Sequence, residues 1–305
     1  MKVMFLGTPA FAVPVLDGIV ASGHHVVAVV TQPDRANARG KKIVDSPVKA
    51  RAIQLGLPIL QYDRISDHAA ELRAYGADIM ITAAYGQILS DEILTLTPHG
   101  VVNVHASLLP RYRGASPVQW ALMAGEREVG VTFMQTVKEV DAGDILDTAS
   151  VVLNGTENAA ETLALLAEVA GKQIGDLLDR LAEGAIVPRP QDHTLATHCR
   201  KLSKEDGHIL FDCSAEATVN RIRGVSPDPS AYTMLPTGRL KILSAELADG
   251  AGSAGEVLGQ DKRGLIVACQ SGAVRLLRVQ GEGGKAMPAP DYLRGKPIPA
   301  GTILK

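Results

Sequence analysis

Cysteine is scarce in this chain. There are three, Cys199, Cys213 and Cys269, odd in number and with no CxxC among them. A disulfide framework is therefore not expected. Long apolar runs are also missing, and none reaches the roughly 18 residues of a membrane helix. The opening run Val3-Met4-Phe5-Leu6 stops at Gly7-Thr8-Pro9, too early for a signal peptide. It predicts a first strand and a cytoplasmic protein with no membrane partner. Nor is there an excess of charge of either sign. The net charge of −2 excludes an indiscriminate electrostatic binder of nucleic acid, though not a local basic site. Repeats and low-complexity segments are absent. What remains is an ordinary globular composition, 46 % hydrophobic and 21 % charged, over 305 residues. That length serves two domains of about 150 residues with separate cores.

Strand and helix signals alternate over the first part of the chain. Val3–Leu6, Val26–Thr31, Ile79–Thr82, Val101–Val104 and Val129–Met134 read as short buried strands. Phe11–Ser22 predicts a helix ended by Gly23, and Ser46-Pro47 opens another that runs to about Leu55. Glu161–Leu181 is a long amphipathic helix. This alternation predicts an α/β domain whose parallel sheet is covered on both faces. From Gly184 the chain becomes turn-rich through Pro188-Arg189-Pro190. After one short helix, Ala215–Arg223, come short runs punctuated by glycine: Tyr232–Leu235, Leu240–Leu243, Glu256–Leu258, Leu265–Ala268 and Val274–Val279. They suit a small β-barrel. The expected division is residues 1–183, a linker 184–204 and residues 205–305.

Charge is uneven. Residues 206–305 hold 12 basic and 10 acidic side chains, so the rest of the chain is acidic. Within that acidic part, Arg35, Arg39, Lys41, Lys42, Lys49 and Arg51 stand against a single acid, Asp45. The turn Gly7-Thr8-Pro9 has one glycine where a dinucleotide fingerprint has three, so a nicotinamide cofactor is disfavoured. Thr8 suits a helix cap and Pro9 a helix start, and the turn serves equally as a ligand contact. Asn103 and His105 alternate on one strand and point to the same side. An amide and an imidazole at a strand end can stabilise a developing oxyanion. A turn-forming asparagine beside a packed histidine fits the triplet equally. Asp141, in Asp141-Ala142-Gly143-Asp144, follows another strand end, where it can orient His105 or accept a proton; a polar turn explains it as well. His193, His198, Cys199, His208 and Cys213 match no paired-ligand spacing, so no metal is expected.

Taken together the motifs resemble the methionyl-tRNA formyltransferase family over the whole chain. They are Gly7-Thr8-Pro9-x-Phe11-Ala12; Gln32-Pro33-Asp34-Arg35 with Arg39-Gly40-Lys41-Lys42; Ser46-Pro47-Val48-Lys49; Ala84-Tyr85-Gly86-Gln87-Ile88-Leu89; Asn103-Val104-His105-Ala106-Ser107-Leu108-Leu109-Pro110-x-x-Arg113-Gly114; and Asp141-x-Gly143-Asp144. The resemblance implies a Rossmann-like N-terminal domain and a C-terminal OB-like β-barrel. It implies formyl transfer from 10-formyltetrahydrofolate to the α-amino group of methionyl initiator tRNA, with no metal, by a monomer. Asn103, His105 and Asp141 would be catalytic. Ser107, Leu108, Leu109 and Pro110, with Gln87, Ile88 and Leu89, would bind the folate. Phe11 would face the methionyl group and Arg39, Lys41 and Lys42 the acceptor end, with Arg221, Arg223, Lys285 or Lys296 on the RNA body. Two departures from the family pattern stand out: Ala36-Asn37-Ala38 replaces Pro-Ala-Gly, and Glu139 replaces a glycine. Formyltransferases of glycinamide ribonucleotide or nucleotide sugars, and the hydrolase domain of formyltetrahydrofolate dehydrogenase, share the catalytic set; a catalytically silent RNA-binding relative would not need it.

Overall fold

The computed structural model describes residues 1–34 and 44–305. The chain forms two compact units that interleave in sequence. One comprises Met1–Gly114, Val129–Val151 and Leu163–His198, and the other Ala115–Glu128, Val152–Thr162 and Cys199–Lys305.

The first unit contains β1 (Lys2–Gly7), α1 (Ala12–Ala21), β2 (His25–Thr31), α2 (Pro47–Gln54), β3 (Ile59–Gln61), β4 (Ile79–Ala83) and β5 (Val101–His105). The sheet order is β3-β2-β1-β4-β5, followed by strands Glu128–Gln135 and Ile145–Val152. Chain direction reverses its march across the sheet between β1 and β4. Val3 to Leu6 of β1 and Ile79 to Ala83 of β4 are all buried, as a sheet covered on both faces requires. Ser46 caps α2 by accepting from the Lys49 N–H at 3.2 Å, and Pro47 takes the first turn, where no N–H is missed. The long helix Ala159–Ala182 lies against α1 at small residues: a Cβ on Gly18 would stand 2.0 Å from the Gly171 carbonyl oxygen. Only glycine permits that approach.

The five strands β1 to β5 are parallel, as expected. Strand Glu128–Gln135 is not. It runs antiparallel to β5, with Val102 opposite Gln135 and His105 opposite Thr132. A parallel neighbour needs a crossover, usually helical, packed on the same sheet. The helix in this connection, Pro117–Met123, belongs to the other unit.

In the second unit the antiparallel order is Ala231–Leu235, Gly238–Ala248, Ala273–Gly281, Leu265–Ala268, Val257–Gln260. The last residues close it. Met234 and Lys305 exchange backbone hydrogen bonds of 2.6 and 3.1 Å, while Gly255 and Val257 pair with residues 301–304 on the other edge. One short segment thus joins both edge strands and leaves no open edge there, the barrel solution to unpaired strands. Its Leu304 is buried with Leu240, Ile242, Val267 and Leu276. Around the helix Ala215–Gly224, Arg200 donates to both Asp206 carboxylate oxygens at 2.6 and 2.7 Å and lies over the Trp120 ring. The guanidinium holds the Asp206 carboxyl well below its usual range.

The closure generates a prediction. Leu304→Ala should cost about 2–5 kcal/mol in urea unfolding, the usual loss for a fully buried leucine. A loss under about 1 kcal/mol, of the size of a surface change, would show that the edges hold without this anchor.

Candidate active site

In an open α/β sheet, ligands bind beyond the carboxyl ends of the strands where strand order reverses. Here that point lies between β1 and β4. A cavity of about 480 Å³ opens there, lined by Thr8, Pro9, Gln32, Asp34, Ser46 and Tyr85 among others. Thr8 does not cap α1. Its hydroxyl donates to the Tyr85 carbonyl at 3.2 Å and accepts from the Gln32 N–H at 3.3 Å. Phe11 itself takes the N-cap position, half-buried, without a side-chain cap. Asp34 and Val44 both line the cavity. Arg39, Lys41 and Lys42 lie outside the described residues. Two other members of the basic run are neutralised locally. Lys49 pairs with Asp34 and Asp45, and Arg51 donates to Asp17 at 2.7 Å.

Asn103 and His105 share one face of β5. The Asn103 side chain is half-buried, and among the described residues nothing engages its amide. His105 is buried, and its Nε2–H donates to the Tyr112 carbonyl at 3.0 Å. That bond leaves Nδ1 for chemistry. Nδ1 faces Asp141 Oδ2 at 3.6 Å, while the same Oδ2 accepts from the Gly114 N–H at 2.8 Å. The three residues read from the sequence are therefore neighbours in space, but not for the reason the sequence offered. Because strand Glu128–Gln135 is antiparallel, its carboxyl end lies beside Val102, away from His105. Asp141 reaches His105 only because loop 136–144 folds back. Asp141 adopts φ +52° to do so, and Tyr112 and Ala84 at the same strand ends have φ of +59° and +46°. Such non-glycine conformations persist where surroundings hold them, and they concentrate at functional sites.

The remaining sequence-derived residues divide into scaffold and surface. Gln87 is committed to the fold: its Oε1 accepts from the Ile65 N–H and its Nε2 donates to the Tyr62 carbonyl. Leu89 packs on the core, whereas Ile88 is 91 % exposed. The Ser107 hydroxyl donates to the Arg111 carbonyl, and Leu109 is buried against Met134 and Ile145. Leu108 lies over Gly130, and Pro110 is half-buried. Thr132 was missed. Its hydroxyl donates to the Ser107 carbonyl at 2.7 Å and accepts from the Leu109 N–H at 3.1 Å, fixing the loop. A fully buried hydroxyl within the apolar run Val129–Met134 was the available signal, since such a group needs a partner. Gln191 was also missed, for want of any local motif. It donates to the Asp141 and Gly143 carbonyls at 2.9 and 2.7 Å.

Among the described residues no group of three metal-ligating side chains comes together, and no helix is long and apolar enough to cross a membrane. His193 faces Arg113, His208 stacks on Tyr232, and Cys213 and Cys269 both contact the Thr218 hydroxyl. Arg223 is buried, donating to Asn220 and the Glu157 carbonyl, and Arg221 donates to the Asp206 carbonyl. The burial of Arg223 sets it apart from the RNA-facing role the sequence suggested, while Arg221 is only partly buried. Lys285 and Lys296 are exposed.

Comparison with known proteins adds the family. Residues 1–174 match the formyl transferase model, and residues 201–297 its C-terminal domain. A methionyl-tRNA formyltransferase of Anaeromyxobacter dehalogenans is 46 % identical over 303 residues, covering 97 % of each chain. The chain belongs to the methionyl-tRNA formyltransferase family. A second member, from Caldanaerobacter subterraneus, is 41 % identical over the full length of both chains. Among solved structures, a Helicobacter canadensis N-formyltransferase in complex with folinic acid and dTDP-3-aminofucose aligns with a TM-score of 0.70 at 16 % identity, over 90 % of this chain and 98 % of that one. Aquifex aeolicus HypX in complex with tetrahydrofolic acid aligns with a TM-score of 0.63 at 17 % identity, over 96 % of this chain and 47 % of that one. At these identities the two structures attest the fold. They agree with a Rossmann-like sheet unit and an OB-like β unit in this formyltransferase.

The Thr132 bonds can be tested apart from activity. Thr132→Val keeps the shape and leaves the Leu109 N–H and the Ser107 carbonyl without their partner. Urea unfolding should show a loss of about 1–3 kcal/mol. A parent-like midpoint would show that the loop holds itself.

Proposed function

We propose that the chain transfers the formyl group of 10-formyltetrahydrofolate to the α-amino group of methionyl initiator tRNA, as a monomer in the cytoplasm. The observation that carries this reading is the approach of the Asp141 carboxylate to His105 Nδ1, with the Asn103 amide on the same strand face, in a chain of this family. When bound, the folate supplies an electrophilic formyl carbon on N10. Exposed apolar side chains at Ile88 and Val140 fit a flat heterocycle. The loop Ser107 to Pro110, with Gln87 to Leu89, forms its rim: Gln87 and Ser107 as scaffold, Ile88 as surface.

The chemistry assigns each group a task. Asn103 donates to the formyl oxygen as negative charge develops on it. A free α-amine is partly neutral at pH 7, so attack needs no strong base. The attacking nitrogen must still lose a proton, and N10 must gain one. His105 Nδ1 and Asp141 face each other across a gap that a shared proton would make attractive, so this pair holds the proton in transit. The cavity at β1 and β4 receives the aminoacyl end, with Phe11 toward the methionyl group. Arg39, Lys41 and Lys42 contact the acceptor end, and the exposed Lys285 and Lys296 the RNA body. Measuring formyl transfer to charged initiator tRNA, with free amino sugars as competing acceptors, tests the whole reading; preference for the sugars would overturn it.

Two outcomes are expected of variants. Asp141→Asn keeps an oxygen for the Gly114 N–H and loses the charge, so kcat should fall about 10²–10⁴-fold. Unchanged single-turnover chemistry with weakened folate binding would instead make Asp141 a binding residue. Arg39→Ala should raise KM for the tRNA or lower kcat, with folate binding intact and a salt-dependent loss. If the loop reads the acceptor end, this variant should also lose discrimination against a tRNA with a strong first base pair. Parent-like discrimination would leave the loop an electrostatic guide only.

A further inference from the structure

Asp141 carries charge chemistry from a backbone position that a non-glycine residue takes only under constraint. The constraint has a source outside the motifs. The Gln191 amide is 5 % exposed and uses every bond it can make. Its two N–H groups donate to the carbonyls of Asp141, at 2.9 Å, and Gly143, at 2.7 Å. Its oxygen accepts from Arg113 Nε at 3.1 Å and from a terminal guanidinium nitrogen at 2.7 Å. The fork of the guanidinium fixes which way the amide lies: a flipped amide would set N–H against N–H. Arg113 is 1 % exposed and is itself held by its backbone N–H, which donates to the Thr197 carbonyl at 2.8 Å. The next residue, Gly114, donates to the Asp141 carboxylate. Both ends of Asp141, carboxylate and backbone carbonyl, thus trace to Arg113, one directly along the chain and one through Gln191. Gly143 completes the fit, because a Cβ there would stand 1.9 Å from the Gln135 carbonyl oxygen.

We propose that Gln191, oriented by Arg113, is the positioning residue that sets the Asp141 carboxylate against His105 for formyl transfer. The inference rests on the functional reading above and deepens it. All the bonds of the Gln191 amide go to protein groups. It acts by fixing where the Asp141 backbone lies, and a displacement of about 1 Å at such a group costs on the order of 10²-fold in rate.

Gln191→Glu tests this. The introduced carboxylate still accepts from Arg113, so the buried guanidinium stays paired. It now presents an oxygen to the Asp141 and Gly143 carbonyls, where two N–H groups had been. The melting temperature should fall, since two carbonyls lose their donors, while the KM for folate and for tRNA should hold. The kcat should fall about 10–100-fold. Combined with Asp141→Asn, the substitution should add almost nothing to the loss that Asp141→Asn causes alone, because the group it positions is already disabled. Gln191→Asn, which keeps the amide on a shorter stem, carries the same comparison should the glutamate variant not fold. A folded variant with parent kcat, or losses that multiply fully in the double variant, would overturn the assignment. A parent chain inactive on methionyl-tRNA would sink the functional reading and this inference with it; an active parent with an indifferent Gln191→Glu would sink the inference alone.

Discussion

A guanidinium in a protein interior must be hydrogen-bonded on its own terms, with acceptors matched to a planar fork. Arg113 imposes that demand on this unit. It draws Gln191 in from a turn-rich segment, faces His193 and, at 3.7 Å, Glu139, and lies one residue from the N–H that binds the Asp141 carboxylate. Through that one side chain the loop after β5, loop 136–144 and residues 191–197 become a single object. The placement of Asp141 against His105 is therefore a by-product of satisfying a buried cation. The Glu139 substitution falls into place here: where the family pattern has a glycine, this chain sets a carboxylate toward Arg113. The change adds an acceptor at the mouth of the same network.

The distribution of charge follows a related economy. A chain of net charge −2 that handles a polyanion cannot rely on its overall field. Many of its cations serve inside the protein. Lys49, Arg51, Arg180, Arg200 and Arg275 are bound to carboxylates, and Arg223 is buried on amide and carbonyl oxygens. The basic stretch seen in sequence is shortened at its carboxyl-terminal end by exactly such pairing, at Lys49 and Arg51. The rest of it, Arg35 to Lys42, lies outside the described residues.

Legibility in the sequence followed the range of the interaction that decided each feature. The strands Val3–Leu6 and Val26–Thr31 and the helix after Ser46 were readable because period, proline and capping act within a few residues. The shared face of Asn103 and His105 was readable for the same reason, since side chains two apart on a strand point the same way. The barrel's strand spacing was readable, but its closure by residues 301–305 was not, because pairing with Met234 and Gly255 spans the whole unit. Thr8 misled: its type suited a cap, yet two backbone groups just past the ends of β2 and β4 claimed its hydroxyl. Arg223 misled in the same manner, as a charged residue whose burial depends on distant neighbours.

By itself, then, the sequence determined the chemical inventory: an amide and an imidazole on one strand face, a carboxylate in a glycine-containing turn, a basic stretch, and the α/β and all-β character of the two parts. Those follow from residue type and local periodicity. Only the tertiary structure decided that the strand before Asp141 runs antiparallel, that loop 136–144 must fold back to bring Asp141 to within 3.6 Å of His105, and that Gln191 holds it there. Strand direction depends on where the connecting helix finds its apolar partner, and a hydrogen bond between residues 141 and 191 depends on the whole path between them. Neither is written in any short stretch of the chain.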